Sequence, residues 1–436
     1  MAGNAYAEAR AVPGGPHLDG VRAGGVGVHP AQGGQTGTEE RGAVRRVAGR
    51  ARRGFGRRPD DGGGEDVVEG ARDRVPAGSP ASTITRSPLR DALLLWCGSR
   101  AGILVSTLLG VALADYVDKW REWDVVLLAT IAEHGYDGDP GKPHDPGLPA
   151  FFPGLPLLLR LVHLVVPDWT AAGLLISLVA GAVAMMALAR LAEAEGAHGW
   201  MAVLALLLFP TAVFLAAGYT ESLFLAFAIP AWLAAKRGRW PQAAMLAAGA
   251  SCVRITGAFL ALALIVEFFA RGESPRRAGW LALPVAPLVA YSAYQYGRSG
   301  DWLAWKHAQE AGWGRDFAWP WEAWETSWRE AMGAGDFSVA FRMEIAGAVV
   351  TVCVLVWLLV LRRWSEAVYT GAQAAALLTS AYYLSVPRSL LLCFPLWVLV
   401  AKVATRRAWV MALYALILGP LMLLHTALFL SGAWAG

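Results

Sequence analysis

Apolar runs of membrane-spanning length recur from residue 92 to residue 431, and they constrain the fold more than any other feature. A helix needs about 20 apolar residues to cross a bilayer, within a range of about 17–25. Nine runs meet or approach that length: 92–114, 170–190, 200–218, 220–235, 278–297, 338–361, 366–384, 388–403 and 408–431. The stretch 241–270 is also apolar, but Arg254-Ile255-Thr256-Gly257 interrupts it, which predicts two short helices meeting at the break. The segment 151–166 contains Pro153, Pro156 and Arg160 and reads as interfacial or re-entrant. The expected fold is all-α: a polytopic integral membrane protein of about eleven transmembrane helices. Composition agrees, with 56% hydrophobic and only 17% charged residues, against about 25% charged in soluble domains. An ordinary cytosolic enzyme, a nucleic-acid binder and a secreted disulfide scaffold are excluded. The four cysteines, Cys97, Cys252, Cys353 and Cys393, lie in or at the end of apolar runs without metal-ligand spacing. They are expected to be small buried hydrophobes.

Residues 1–90 have a different character. They hold 14 Arg, no Lys and 10 acidic residues, whereas the remainder balances at 24 basic and 24 acidic. Rich in Gly and nearly free of aromatics, this stretch cannot bury enough apolar surface to offset chain entropy. It is expected to be a disordered, basic Gly/Arg-rich cytoplasmic tail, or else an artefact of an upstream start codon. Its Arg45–Arg58 cluster is either a solvated run or a contact for anionic lipid. Residues 91–436 form the membrane domain.

Cytoplasmic loops are enriched in Lys and Arg. Four basic clusters punctuate the apolar runs: Lys236 with Arg237 and Arg239, Arg271 with Arg276 and Arg277, Arg362 with Arg363, and Lys402 with Arg406 and Arg407. With all four inside, the alternation of spans closes, and the N-terminus is cytoplasmic too. Segments 115–169, 218–221, 254–257, 298–337 and 385–388 then share the extracytoplasmic face. Chemistry is expected there, because the inner loops are short connectors.

Several residues on that face are candidates. Asp124, just outside a helix end and beside Trp123, suits a general base; the alternative is a solvated acidic loop with Trp at headgroup level. Glu221, in Gly218-Tyr219-Thr220-Glu221-Ser222, sits at a tight helix junction, where an acid is either functional or a helix N-terminal charge. Arg254 and Arg388 stand at outer helix ends, against the positive-inside bias. They suit a phosphate site or local pairing with an acid such as Glu221. Seven Trp between 298 and 337 either stack on sugars or form an interfacial belt. No GxxxxGKS/T, GxGxxG after a strand, HExxH, GxSxG or CxxC occurs. A cytosolic nucleotide sugar is therefore an unsuitable donor, and a lipid-phosphate-linked sugar resolves the problem.

Taken in order, these residues resemble a family. Trp123-Asp124, Ile131-Ala132, Gly135-Tyr136, Ala150-Phe151-Phe152-Pro153 and Pro156-Leu157-Leu158 are similar to the signature of PIG-V-type mannosyltransferases. So are Phe209-Pro210-Thr211, Tyr219-Thr220-Glu221-Ser222, Arg254-Ile255-Thr256-Gly257, Val386-Pro387-Arg388 and Phe394-Pro395-Leu396. The resemblance runs from about 92 to 400, and the Ala-, Gly- and Arg-rich composition suggests a GC-rich bacterium, hence an actinobacterial member. It implies a GT-C glycosyltransferase with a long first external loop and an active site facing away from the cytoplasm. It also implies inverting transfer of mannose from polyprenyl-phosphate-mannose to a lipid or glycan acceptor. Two positions depart from the pattern: Gly154 replaces a bulkier residue and Ile255 replaces a frequent Pro.

On this reading Asp124 takes the proton of the acceptor hydroxyl, and Arg254, Arg388 or both hold the lipid phosphate. Glu221 is a supporting acid or a sugar-hydroxyl ligand. Trp123, Tyr136 and Tyr219 complete the substrate-binding set. Phosphate is already a good leaving group, so no cofactor is called for. A membrane transporter or lipid-sugar flippase is the alternative, and an inactive complex subunit a third.

Overall fold

A computed structural model describes residues 87–108, 112, 115–335 and 337–433. The basic tail, with its Arg45–Arg58 cluster, lies outside the described residues as far as residue 86.

The described residues hold sixteen α-helices and no named strand. The first four are α1 (Pro88–Leu108), α2 (Asp124–His134), α3 (Gly154–His163) and α4 (Trp169–Ala194). Then come α5 (Gly199–Leu207), α6 (Thr220–Lys236), α7 (Trp240–Val253) and α8 (Thr256–Ala270). They are followed by α9 (Ala286–Ser299), α10 (Ala304–Trp313), α11 (Pro320–Met332) and α12 (Ser338–Val360). The last four are α13 (Trp364–Leu378), α14 (Val386–Leu390), α15 (Phe394–Arg406) and α16 (Ala408–Leu430).

Four of these, α1, α4, α12 and α16, are long and apolar enough to cross a membrane. A chain with several such helices is a multi-pass membrane protein, but a count near eleven does not emerge. Three runs expected to be single spans are broken. The 200–218 run becomes α5, a turn at Phe209-Pro210, and a 3-10 helix, Ala212–Leu215. The 278–297 run splits between the 3-10 helix Pro275–Ala282 and α9. The 388–403 run splits between α14 and α15, the latter opening with Pro395. Proline lacks the backbone donor and clashes with the preceding turn, so hydropathy continues where the helix cannot. The segment 151–166 yields α3, a ten-residue apolar helix.

The expected break in 241–270 is where α7 ends and α8 begins, at Arg254-Ile255. It depends on Gly257: a Cβ there would lie 2.4 Å from Ser251 Cα. Gly154 is equally cramped, because its Cβ would meet the Cys252 carbonyl oxygen at 2.7 Å. The departure from the family pattern at 154 thus allows α3 to abut the end of α7.

The main core gathers α4, α5, α6, α7 and α15 around Trp232, Trp240, Trp397 and Phe224, all fully buried. Outward faces of α1, α12 and α16 carry exposed aliphatic side chains, as a lipid-facing surface does. Cys97 and Cys353 lie on those faces and are exposed, correcting the expectation that all four cysteines are buried. An apolar run in a membrane helix faces lipid as readily as protein.

The four basic clusters meet in one ionic network. Arg363 pairs with Glu195 and Glu366, each at 2.7 Å, and Lys402 reaches Glu195 at 2.6 Å. Lys236 lies 3.1 Å from Glu267 and 3.4 Å from Glu366, while Arg271 lies 3.8 Å from Glu267. The loops assigned to one side of the bilayer by charge are therefore together in space. Lys236 is the last residue of α6, whose first turn holds Glu221. At about 1.5 Å per residue, these ends are about 22 Å apart.

Candidate active site

At the opposite end of α6 from the ionic network, several chain segments close a cleft. Trp123 and Asp124 come from the start of α2, and Phe151 and Phe152 from the turn before α3. Tyr219 and Thr220 open α6, Arg254 and Ile255 form the α7–α8 break, and Arg388 lies on α14. The cleft volume is about 120 Å³. At roughly 10–15 Å³ per water site, that space suits one ring-sized group.

Arg388 is the hub. Its Nη1 donates to Asp124 Oδ2 at 2.8 Å, and its Nε donates to Glu221 Oε1 at 2.7 Å. Its guanidinium carbon lies 4.5 Å from the Tyr219 ring centroid and 4.8 Å from that of Phe214. Two aromatic faces thus hold the cation in plane by their quadrupoles. Arg254 donates through Nη1 to Glu221 Oε1 at 2.9 Å and also to Thr220 Oγ1. Glu221 is completely buried, and its Oε2 accepts no hydrogen bond from any described residue. Two carboxylates and two guanidiniums form one chain: Asp124, Arg388, Glu221, Arg254. Removing water strengthens such pairing, and removing one member leaves an uncompensated charge.

Backbone strain marks the same place. Trp123 has φ 53°, unusual for a residue with a side chain, and it immediately precedes α2. The Tyr219 hydroxyl accepts from the Asp124 N–H and donates to the Glu122 carbonyl, both at 3.3 Å. The start of α2 is thereby tied to the start of α6. Ser385, before α14, also has positive φ, 59°. Glu344, buried in α12, accepts from the backbone N–H groups of Ser385 and Val386 through its two carboxylate oxygens, each at 2.8 Å. This carboxylate caps the helix that carries Arg388, where a negative charge is favoured.

Of the seven residues selected from sequence, Trp123, Asp124, Tyr219, Arg254 and Arg388 line the cleft. Glu221 lies behind Arg254 and Arg388, bonded to both, and does not line it. Tyr136 does not line it either. Its hydroxyl donates to the Phe151 carbonyl at 2.9 Å and its ring packs on Tyr291, which places it under the Phe151-Phe152 wall.

Two contributors were not selected from sequence. Glu344 was hidden inside a run read as a span, although an acid at such depth is itself a signal. Arg315 lines the cleft from the segment after α10, and its Nη2 donates to the Leu384 carbonyl at 2.9 Å. Burial lowers its pKa from the ordinary arginine value. Like Arg254 and Arg388, it is a cation at the end of the bundle opposite the four basic clusters. The Trp-rich segment divides. Trp313 lines the cleft and packs edge-on against Phe151, while Trp302, Trp319, Trp321, Trp324 and Trp328 are exposed. Among the described residues, no three His, Cys, Asp or Glu side chains converge as a metal-binding set.

A second groove leaves the cleft where Arg254 and Arg315 line both. Its volume is about 300 Å³, and its farther walls include Phe259, Trp305, Leu377 and Leu392. A phosphate-sized anchor therefore adjoins a groove of mixed walls, in which Lys306 and Gln373 stand among the apolar side chains.

No curated protein and no solved structure matches the chain. The family model described as mannosyltransferase (PIG-V) matches residues 97–270, a span that includes Asp124, Glu221 and Arg254. The chain therefore carries, over residues 97–270, a PIG-V mannosyltransferase family domain, which implies glycosyltransferase activity.

Proposed function

We propose that the cleft transfers mannose, with inversion, from polyprenyl-phosphate-mannose to a hydroxyl of a lipid-linked or glycan acceptor on the extracytoplasmic face. The observation that carries this reading is Asp124 held by Arg388 at 2.8 Å in a cleft also lined by Arg254 and Arg315. Such a set joins a proton acceptor to an anion site, which is what displacement of a phosphate by a hydroxyl requires.

In this mechanism the acceptor oxygen attacks the anomeric carbon as its proton passes to Asp124. Among the described residues no hydrogen bond reaches Asp124 Oδ1, so this oxygen is free to accept it. The bond from the anomeric carbon to the phosphate oxygen breaks on the opposite side. The electron pair leaves with the lipid phosphate, whose growing charge is held by Arg254, Arg388 and Arg315. Donor phosphate competes with Glu221 and Asp124 for these cations, so binding loosens the carboxylate pairing as it places the donor. The groove beyond Arg254 and Arg315, where Phe259, Trp305, Leu377 and Leu392 offer apolar surface, receives the first part of the polyprenyl chain. The four basic clusters lie on the cytoplasmic side.

Membranes containing the wild type or Asp124→Asn are given radiolabelled polyprenyl-phosphate-mannose and a lipid extract of the host. Mannosylated product from the wild type, and none from a normally expressed variant, supports both the transferase and Asp124 as base. Equal product from the two removes Asp124 from the proton transfer.

A further inference from the structure

We propose that the end of the bundle remote from the cleft binds the headgroup of an anionic phospholipid, in a groove between the end of α12 and the last turns of α15. The groove has a volume of about 560 Å³. Arg363, Lys402, Arg406 and Arg407 line it, with Trp357 and Leu399 among its apolar walls. No carboxylate is among the described residues lining it.

The cations fall into two kinds. Arg363 and Lys402 are committed to Glu195, at 2.7 and 2.6 Å. Arg406 and Arg407 are exposed and make no ion pair with any described residue. Two guanidiniums without counter-ions among the described residues, against an apolar wall, match a phosphate carried on an apolar body. Arginine suits it because its planar fork can donate two bonds to one phosphate.

The groove also lies at the right depth. Leu361 immediately follows α12 and Arg407 immediately precedes α16, and both helices are long and apolar enough to cross a membrane. Both lose their apolar character at the groove. Trp364 and Trp409, 54% and 60% exposed, flank it in sequence and suit the headgroup level. Exposed Val356 on α12 and Leu413 on α16 offer apolar surface for acyl chains. A basic pocket between helix ends is a recurrent form of lipid headgroup site. This site lies in the leaflet opposite the cleft and stands independently of the catalytic reading.

The test is native mass spectrometry of the full chain in detergent, titrated with dioleoyl phosphatidylglycerol or dioleoyl phosphatidylcholine. Three proteins are compared: wild type, Arg406→Gln/Arg407→Gln, and Arg276→Gln/Arg277→Gln, which removes equal charge from another basic cluster. The expected result is one phosphatidylglycerol held by the wild type and the Arg276/Arg277 variant. Binding falls by about tenfold or more in the Arg406/Arg407 variant, given the attraction expected per basic residue. Equal losses in the two variants overturn the site in favour of a diffuse surface charge. Equal retention of the two lipids by the wild type overturns it as well. Displacement of phosphatidylglycerol by millimolar inorganic phosphate overturns the lipid and assigns the groove to a free anion.

Discussion

Arg388 divides its guanidinium between two carboxylates that are 97 positions apart in sequence. Lysine offers a single compact ammonium and cannot hold both oxygens in one plane. Arg388→Lys is expected to lower kcat/KM by about a hundredfold, on the scale of losing one aimed electrostatic partner. Steady-state kinetics at equal expression checks this. Asp124→Asn is expected to lower kcat by about 10²–10⁴-fold, the range for a general base, with a smaller change in KM. Glu221→Ala leaves two half-buried cations without their shared, fully buried partner and is expected to destabilise the protein by about 2–4 kcal/mol, read as a fall in unfolding midpoint. The positions of charges at helix ends are legible in sequence, because a charge beside an apolar run is conspicuous. The direction of a side chain is not. Glu221 turns away from the cleft and Tyr136 lies beneath its wall, and only the packing of α6 and α9 decides that.

Short, interrupted helices position the site, and they follow rules that hydropathy alone does not read. The break between α7 and α8 was legible because Arg254 and Gly257 interrupt the apolar run. The breaks at Pro210 and Pro395 were equally visible as prolines, yet apolar length on either side concealed them. Capping by a distant residue is not legible at all. Glu344 meets the N-terminus of α14 from 41 residues away. Glu344→Ala removes two hydrogen bonds to a charged group and is expected to destabilise by about 2–3 kcal/mol. Because α14 carries Arg388, kcat should fall as well, although Glu344 touches no substrate; Glu344→Asp should recover part of that loss if positioning is the cause. Gly257→Ala forces a Cβ to within 2.4 Å of Ser251 Cα. It is expected to cost about 1–3 kcal/mol, as overpacking does, and to displace Arg254.

The whole molecule separates its charges into two layers joined by apolar helices. The remote layer was readable as a set of basic loops, but its acidic members were not, because Glu195, Glu267 and Glu366 sit in helices or short turns without pattern. Burial pushes the Glu195 carboxyl up, but Arg363 and Lys402 outweigh it and hold it below its ordinary value. A carboxyl with a lower pKa folded than unfolded binds fewer protons when folded. Its contribution is complete above the unfolded value and disappears as pH falls through the folded one. The unfolding midpoint of the wild type should therefore decline with acidification through the carboxylate range. Glu195→Gln should lie below it at neutral pH and show a flatter profile.

The two ends of α6 carry one charged layer each, about 22 Å apart along the axis, whereas the hydrocarbon core of a bilayer is about 30 Å thick. Any tilt of the helix shortens the separation further. On the proposed reading, with the remote layer at the headgroups of one leaflet, the floor of the cleft is sunk below the headgroups of the other, at the depth of acyl chains. A sugar arriving freely from solution must descend into that well, whereas one borne on a lipid is delivered sideways at the correct height. The shortness of a single helix thus acts as a depth gauge, favouring substrates that travel in the plane of the membrane.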